Sequence, residues 1–253
     1  MTNSPTVRKI TPNNYGWYEY DLNEHELAHI WNCIQNKGDR NNETLAGNLS
    51  NSFLLTDEDD AFFNNTLQPL VATYNNNFRD MGSTVPITNL YPYCLHSWWV
   101  NYQKKHEFNP IHDHHGVFSF VIWLKIPTDH AEQNRNNITN SPRKSTFSFS
   151  YQTTIGQQAQ FNYDLSSKNE GTMLFFPSTL QHQVYPFYNS DEDRITVSGN
   201  IALNTEADNY DQSMEKNSRE DLSSTLEKNN PWGMVDNDSN HKDSSRIVKQ
   251  IWV

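Results

Sequence analysis

The chain has 253 residues, of which 35% are hydrophobic and 13% aromatic. Thirteen Phe, twelve Tyr and seven Trp can still build a sizeable core, since each ring buries on the order of 150–250 Å². The formal net charge is −11 and the nineteen basic residues form no cluster, which disfavours nucleic-acid binding through phosphate neutralisation.

The cysteines and the apolar stretches predict a cellular setting. Cys33 and Cys94 lie far apart in unlike contexts, so neither a disulfide framework nor a zinc ribbon is indicated. The first residues contain no apolar signal segment, and no apolar run approaches the length of a membrane span. We therefore expect a protein of the cytoplasm, or of the host cytoplasm if the chain is viral, with no membrane partner.

The first third of the chain predicts one strand and two helices. Residues 17–22 (WYEYDL) are typical of a short strand. Residues 23–36 predict a helix behind Asn23, because apolar side chains recur there at helical spacing. Residues 57–78 predict a second helix with acidic residues in its first turn, which Pro69 would kink.

From residue 88 the hydrophobic pattern changes to that of strands. Six segments are aromatic, β-branched or alternating, and Asn, Pro and Gly residues separate them. They are residues 96–105, 117–126, 145–152, 159–165, 171–177 and 194–203. Such a series indicates an antiparallel sandwich or jelly roll. The predicted fold is therefore mainly β, with a core over about residues 88–203 and two flanking N-terminal helices.

The composition also predicts the domain organisation. We expect a single domain over residues 1–204. Residues 205–253 are charged and polar, and we expect a partly flexible C-terminal extension there. Its last residues, RIVKQIWV, are apolar enough to pack back on the domain. Loops 37–52 and 128–144 and the tail from residue 205 are where a lid over a site would lie.

A cluster of histidines precedes one of the predicted strands. The stretch FNPIHDHHGVFSFVIWLKIP places three histidines and an aspartate directly before an apolar run. Residues two apart in a strand share a face, so His112 and His114 lie on one side and Asp113 and His115 on the other. Two imidazoles at this spacing can share a metal ion, which binds histidine nitrogen at about 2.1 Å. For this pair alone, a polar strand entry without metal is the alternative.

A second stretch supplies another histidine and an arginine. His182 follows a buried strand and a Pro-Ser turn, and Arg194 and Thr196 share one face of the next strand. Each residue alone is more typical of a protein surface. In a jelly roll, however, His182 would face the first histidine pair across the barrel mouth. Arg194 would lie deeper, where a guanidinium can hold a carboxylate through a bidentate pair.

These segments resemble the Fe(II)/2-oxoglutarate oxygenase superfamily, and most of all the 2OG-Fe(II) oxygenases of bacteria and marine tailed phages. The resemblance is carried by SWWVNYQKKHEF, NPIHDHHGVFSFVIWLKIP and GTMLFFPSTLQHQVYPF with DRITVSGNI, within about residues 96–203. It implies a double-stranded β-helix that binds Fe(II), takes 2-oxoglutarate as co-substrate and uses O2 to hydroxylate an organic substrate.

The resemblance also implies a set of ligands. His112 would be the first metal ligand and His182 the distal one, while Arg194, assisted by Thr196, would bind the far carboxylate of 2-oxoglutarate. The superfamily commonly has a carboxylate two residues after the first histidine, and this chain has His114 there. We expect a three-histidine site, with Asp113 as the alternative to His114 if a bulge rotates it off its strand face.

One further residue is a candidate for the near carboxylate of the oxo acid. Tyr102, just upstream of the histidine pair on a neighbouring strand, could hydrogen-bond it, and so could the adjacent Asn101. Packing of Tyr102 in the core is the alternative.

Two rival functions remain. A cupin-like metal enzyme without 2-oxoglutarate can also use three histidines, but the Glu expected soon after them is absent from GVFSFVIWLK. A non-enzymatic jelly roll, such as a phage structural or binding protein, would need no guanidinium inside the barrel, so Arg194 separates the hypotheses. The sequence indicates neither the substrate nor the oligomeric state.

Overall fold

A computed structural model of the chain describes residues 14–87, 89–135, 140–207 and 248–250. The helices in this part are α1 (Glu24–Gln35), α2 (Gln68–Asn77) and α3 (His130–Asn134). The strands are β1 (Tyr18–Asp21), β2 (Asn51–Leu54), β3 (Tyr93–Gln103), β4 (Asn109–His112), β5 (Phe118–Lys125), β6 (Thr146–Gln152), β7 (Gln158–Asp164), β8 (Thr172–Pro177), β9 (Gln181–Val184), β10 (Arg194–Leu203) and β11 (Val248–Gln250).

The strands form two antiparallel sheets. The major sheet has the order β11-β1-β8-β5-β10-β3-β2, and the minor sheet has the order β4-β9-β6-β7. Neighbours in both sheets run antiparallel. All six predicted strand segments form strands, with bounds shifted by a few residues at most. The prediction of a mainly-β jelly roll is confirmed.

The major sheet lies between the helices and the minor sheet. Side chains along β3, β5, β8 and β10 point alternately to the two faces of the major sheet. Those on one face pack with α1 and α2, where Tyr74 contacts Phe118. Those on the other face pack with the minor sheet, where Trp123 contacts Phe147. Because β5 is covered on both faces, seven of its eight residues are buried. Each large apolar side chain buried in this way contributes about 1.5–3 kcal/mol.

Both predicted helices are present, the second one in a broken form. The first begins after Asn23, whose side chain accepts from the Glu26 amide while the Glu26 carboxylate accepts from the Asn23 amide. The second is preceded by a 3-10 turn and by a π-helical turn at Phe63–Leu67. Pro69 follows in the first turn of α2. Proline has no N–H to donate to the carbonyl four residues earlier in the chain. The regular hydrogen bonding of an α-helix is therefore interrupted at this point.

Some parts of the chain differ from the predictions or lie outside the described residues. Strand β2 falls partly in the predicted loop 37–52 and pairs with β3. Most of residues 205–253 lie outside the described residues, but residues 248–250 form β11 and pair with β1. No helix in the described part is long and apolar enough to cross a membrane.

Candidate metal and co-substrate site

Strand pairing brings two of the predicted histidines together. His112, the last residue of β4, lies directly opposite His182 of β9 in the minor sheet, and their ring centroids are 4.3 Å apart. His182 is 5% exposed and lies against the rings of Phe147 and Phe176. The minor sheet therefore holds this pair of imidazoles at its face toward the major sheet.

His114 lies in a turn after the strand, and Ser178 holds that turn in place. The His114 amide donates to the Ser178 carbonyl at 2.9 Å, and the Ser178 hydroxyl donates to the Gly116 carbonyl at 2.7 Å. Gly116 has a φ of +100°, and a Cβ there would lie 2.7 Å from a backbone oxygen, so glycine is required. Ser178 belongs to the turn between β8 and β9, and β9 carries His182. The turn that carries His114 is therefore held against the turn that precedes His182.

The three imidazoles fit one metal ion. A ring nitrogen of each of His112, His114 and His182 lies within 4.8 Å of the other two. The Nε2 atoms of His114 and His182 are 3.2 Å apart. Two nitrogens that bind one ion at about 2.1 Å and at right angles would lie about 3.0 Å apart. The observed spacing is close to that requirement.

The rings also have the protonation that a metal requires. His112 Nδ1 and His182 Nδ1 lie 2.7 Å and 3.0 Å from the carbonyls of Pro110 and Leu180. A carbonyl only accepts, so each Nδ1 carries a proton, and Nε2 is the nitrogen left for a metal. Burial, with a smaller contribution from His112, lowers the pKa of His114 to about 4 and lowers the pKa of His182 well below its ordinary value. Both are therefore neutral at physiological pH, the form that binds metal.

Asp113 does not join this group. Its side chain is exposed, whereas His114 is partly buried and lies 5.0 Å from His182 between ring centroids. The structure thus brings together the three histidines and leaves the alternative ligand Asp113 at the outer part of the same cavity.

The histidines line a cavity of about 450 Å³ between the two sheets, a volume typical of small-molecule sites. Alternate residues of β3 and β10 form one wall. They are Ser97, Trp99, Asn101 and Gln103 on β3 and Arg194, Thr196, Ser198 and Asn200 on β10. The loop between α1 and β2 covers the cavity with Leu45, Gly47 and Leu49. It occupies the place where the sequence predicted a lid.

Arg194 is fully buried in this cavity, and no carboxylate of the described residues pairs with it. Its Nη1 donates to Gln103 Oε1 at 3.3 Å, its Nη2 donates to Ser145 Oγ at 2.7 Å, and its guanidinium lies 4.9 Å from the ring centre of Phe187. Its Nε has no partner among the described residues. Burial lowers the pKa of the guanidinium to about 9. A neighbouring carboxylate would raise this pKa, so little compensating negative charge surrounds the group.

Two of the three acidic residues just before β10 pair with lysines and not with this guanidinium, whose lowered pKa has burial as its cause. Asp191 pairs with Lys105 at 2.5 Å, and Glu192 pairs with Lys125 at 2.7 Å. A buried ion that lacks its partner destabilises a protein by several kcal/mol. A ligand carboxylate in the cavity would supply both the negative charge and the hydrogen-bond acceptors. The arginine end of the cavity therefore fits a carboxylate of a dicarboxylic oxo acid.

The structure places Thr196 in the cavity wall but does not bring Tyr102 there. Tyr102 shares the helix-facing side of β3 with Val100 and packs against Phe53, with ring centroids 6.1 Å apart. Side chains alternate along a strand, so its neighbour Asn101 lines the cavity instead. Asn101 is 5% exposed and its Oδ1 has no partner in the described part of the chain. The geometry therefore favours Asn101 over Tyr102 as the residue that could reach a ligand in the cavity, and the role of either at the oxo acid stays a prediction.

The jelly roll and its site define a class, that of non-haem iron oxygenases. Residues 97–200, which contain all three histidines and Arg194, match the model of a protein family described as "Putative 2OG-Fe(II) oxygenase". The match covers residues 97–200, fewer than half of the 253 residues, and shows similarity to this family over the region of the site. The chain is an oxidoreductase of the kind that uses Fe(II) and 2-oxoglutarate and acts with O2 on an organic substrate, as the sequence resemblance implied.

Several solved structures are similar to the chain, at low identity. A Pseudomonas putida prolyl-4-hydroxylase has 12% identity and a TM-score of 0.42, over 75% of this chain and 93% of that one. A 2OG-Fe(II) oxygenase family oxidoreductase from Burkholderia pseudomallei has 13% identity and a TM-score of 0.40, over 71% and 80%. The carbocyclase SnoK of nogalamycin biosynthesis has 8% identity and a TM-score of 0.45, over 73% of this chain and 78% of that one. Similarity at this level does not bear on substrate or chemistry. No curated protein sequence matches the chain.

Proposed function

We propose that this protein binds one Fe(II) through His112, His114 and His182, binds 2-oxoglutarate through Arg194, and hydroxylates an organic substrate. The observation that carries the proposal is a fully buried, unpaired guanidinium in the same cavity as three converging histidines. Neither a cupin-like enzyme without an oxo acid nor a structural jelly roll requires that guanidinium. Iron bound here, with 2-oxoglutarate and O2, supplies the oxidation of a substrate C–H bond.

The protein groups have separate tasks in this proposal. Arg194 and Thr196 hold the far carboxylate of 2-oxoglutarate, and Asn101, which lines the cavity, donates through its Nδ2 to the near one. The rings of Trp123 and Phe176 line the cavity and are buried. They keep water from the part of the cavity between the histidines and Arg194, which strengthens each electrostatic contact there.

The neutral ligand set gives this site a particular charge balance. Three uncharged imidazoles add nothing to the formal charges of Fe(II) and the 2-oxoglutarate dianion, which cancel each other, so the positive charge of Arg194 remains in the cavity. A carboxylate in place of His114 would offset that positive charge. We propose that the balance favours binding of the oxo acid as a dianion.

We also propose a setting for the enzyme. Residues 1–204 form one domain with residues 205–253 as an extension, and the protein acts in the cytoplasm. Free Cys33 and Cys94 support a reducing compartment. Limited proteolysis tests the domain proposal: early cleavage should fall after residue 204, and early cleavage within residues 88–203 would contradict it.

Isothermal titration of 2-oxoglutarate into the Fe(II)-loaded protein under argon tests the proposed function. Arg194→Ala should leave Fe(II) binding nearly intact and weaken 2-oxoglutarate binding by about 2–5 kcal/mol, the range for truncating one side of a buried charge pair. Arg194→Lys should recover only part of the affinity for 2-oxoglutarate, because an ammonium cannot make the bidentate contact. Arg79→Ala, at an exposed arginine outside the cavity, is the matched control. Equal affinity in wild type, Arg194→Ala and Arg194→Lys would overturn the proposal.

A further inference from the structure

Ser145 has an unusual backbone conformation beside the proposed co-substrate site. It lies directly before β6, is fully buried, and has a φ of +58°, a region that side chains other than glycine rarely adopt. Its amide donates to the Pro186 carbonyl at 2.9 Å, and its carbonyl accepts from the Leu165 amide at 3.1 Å. The surrounding chain therefore holds this residue in a strained conformation from both sides. Strain of this kind is concentrated at functional sites.

The side chain of Ser145 ends at Arg194. Its Oγ accepts from Arg194 Nη2 at 2.7 Å and shares a hydrogen bond of 3.1 Å with the hydroxyl of Thr128, which is also buried. Arginine has no acceptor, so the serine oxygen must serve as the acceptor in the first contact. Glycine would fit the backbone at this position without strain, but it could not make either contact.

Three contacts then hold the guanidinium from three directions. Gln103 binds Nη1, Ser145 binds Nη2, and Phe187 lies 4.9 Å from the guanidinium carbon. A guanidinium held in this way cannot move toward or away from the histidines to suit a shorter or longer ligand. Its fixed position sets the length of the oxo acid that can reach the metal and the arginine together.

We infer that Ser145 is a positioning residue that fixes Arg194 and thereby selects the chain length of the 2-oxo dicarboxylic acid. The inference rests on the proposed function. The serine hydroxyl holds the guanidinium at the depth that suits 2-oxoglutarate and disfavours acids that are one carbon shorter or longer. Loss of the hydroxyl leaves Arg194 buried and charged but free to shift, and discrimination between chain lengths falls.

The test measures affinity for oxaloacetate, 2-oxoglutarate and 2-oxoadipate by isothermal titration into Mn(II)-loaded protein under argon. Wild type should prefer 2-oxoglutarate. Ser145→Ala and Ser145→Gly should both weaken 2-oxoglutarate about tenfold, with a smaller change for the other two acids and unchanged affinity for Mn(II) alone. Ser148→Ala removes an equally buried hydroxyl, one bonded to Asn162 outside the cavity, and should keep the wild-type preference.

The two Ser145 variants separate positioning from stability. Ser145→Gly relieves the strained backbone and should melt at a higher temperature than Ser145→Ala, yet the two should lose the same affinity. The inference is overturned if both retain the wild-type preference, or if the loss of affinity follows the melting temperature. If Arg194→Ala weakens 2-oxoglutarate while the Ser145 variants do not, only this inference fails. If wild type binds none of the acids, the proposed function fails with it.

Discussion

The two ends of the cavity satisfy their polar groups in opposite ways. At the histidine end, His112 and His182 bond to backbone carbonyls through Nδ1, and ring nitrogens of the three histidines converge. At the arginine end, donors and a positive charge are available, since the side chains of the described residues that bond to Arg194 are neutral. One end of the cavity therefore suits a cation and the other suits an anion. The difference explains why one cavity would take a metal ion and an acid together.

This comparison makes a testable claim, because each end should respond to its own ligand. Substitutions at the histidine end should change metal affinity, and substitutions at the arginine end should change affinity for the oxo acid.

Removal of a histidine should abolish the cation site. His182→Ala should weaken Mn(II) or Fe(II) binding more than about 100-fold, since even residues that only support metal ligands contribute 10–100-fold. His114→Ala should have a comparable effect, whereas Asp113→Ala should change the affinity little. Anaerobic calorimetry measures all three. Full metal affinity in His114→Ala together with a loss in Asp113→Ala would show that the aspartate is the ligand.

The neutral histidines should also make the metal-free protein sensitive to acid. Unfolded imidazoles take up a proton near pH 6.5, whereas burial lowers the pKa of His114 to about 4 in the folded protein. The unfolded state therefore binds more protons between pH 6.5 and pH 4, and stability falls as the pH is lowered through this window. We expect His114 to account for roughly 2 kcal/mol of that fall.

Urea unfolding of the metal-free protein at several pH values between 6.5 and 4 measures this effect. His114→Gln should flatten the dependence, and His115→Gln, at an exposed neighbour, should leave it as it is. Identical slopes in wild type and His114→Gln would mean that the buried ring does not resist protonation.

The loop that covers the cavity should depend on the absence of a side chain at Gly47. A Cβ there would overlap the amide end of the Asn109 side chain, so Gly47→Ala should cost up to about 1 kcal/mol in free energy of unfolding, because that flexible side chain must turn aside. In an Asn109→Ala background the clash is gone and the same change should cost little. A double-mutant cycle by urea unfolding measures the coupling, and a coupling energy near zero would contradict the contact.

The two faces of β3 should differ in their effect on the oxo acid. Asn101→Ala removes a buried amide from the cavity and should weaken 2-oxoglutarate binding by about 1 kcal/mol. Tyr102→Phe keeps the ring that packs against Phe53 and should leave the affinity unchanged. Calorimetry on both variants decides between the residues, and the opposite result would restore Tyr102 as the ligand.

Much of the fold follows from patterns that are local in the sequence. The strands of the core alternate strongly enough to be located within a few residues. The same alternation also predicts which side chains of β3 share a face. Trp98, Val100 and Tyr102 form its apolar face, so Asn101 and Gln103 could have been placed on the opposite face from the sequence. Strand β2 has only four residues and no clear alternation, so its pairing with β3 depends on tertiary contact. The π-helical turn before α2 is likewise not evident from helical spacing.

The candidate site could be predicted in part. The spacing of the histidines and the arginine, with the family resemblance, indicated the residues that converge in the structure. Ser178, Ser145 and Phe187 could not be identified in this way. Each acts through contacts between segments distant in the sequence, and a serine or phenylalanine near a strand end carries no signal for such a role.

One measurement tests the central claim, that the two ends of the cavity bind Fe(II) and 2-oxoglutarate together. Under argon, 2-oxoglutarate is titrated into the Fe(II)-loaded protein while the weak visible charge-transfer band of the chelate is recorded. We expect a band that requires both components, that is absent in His182→Ala, and that saturates only at much higher 2-oxoglutarate concentration in Arg194→Ala. A wild-type protein that gives no band, or an Arg194→Ala variant that saturates at the wild-type concentration, would contradict the account.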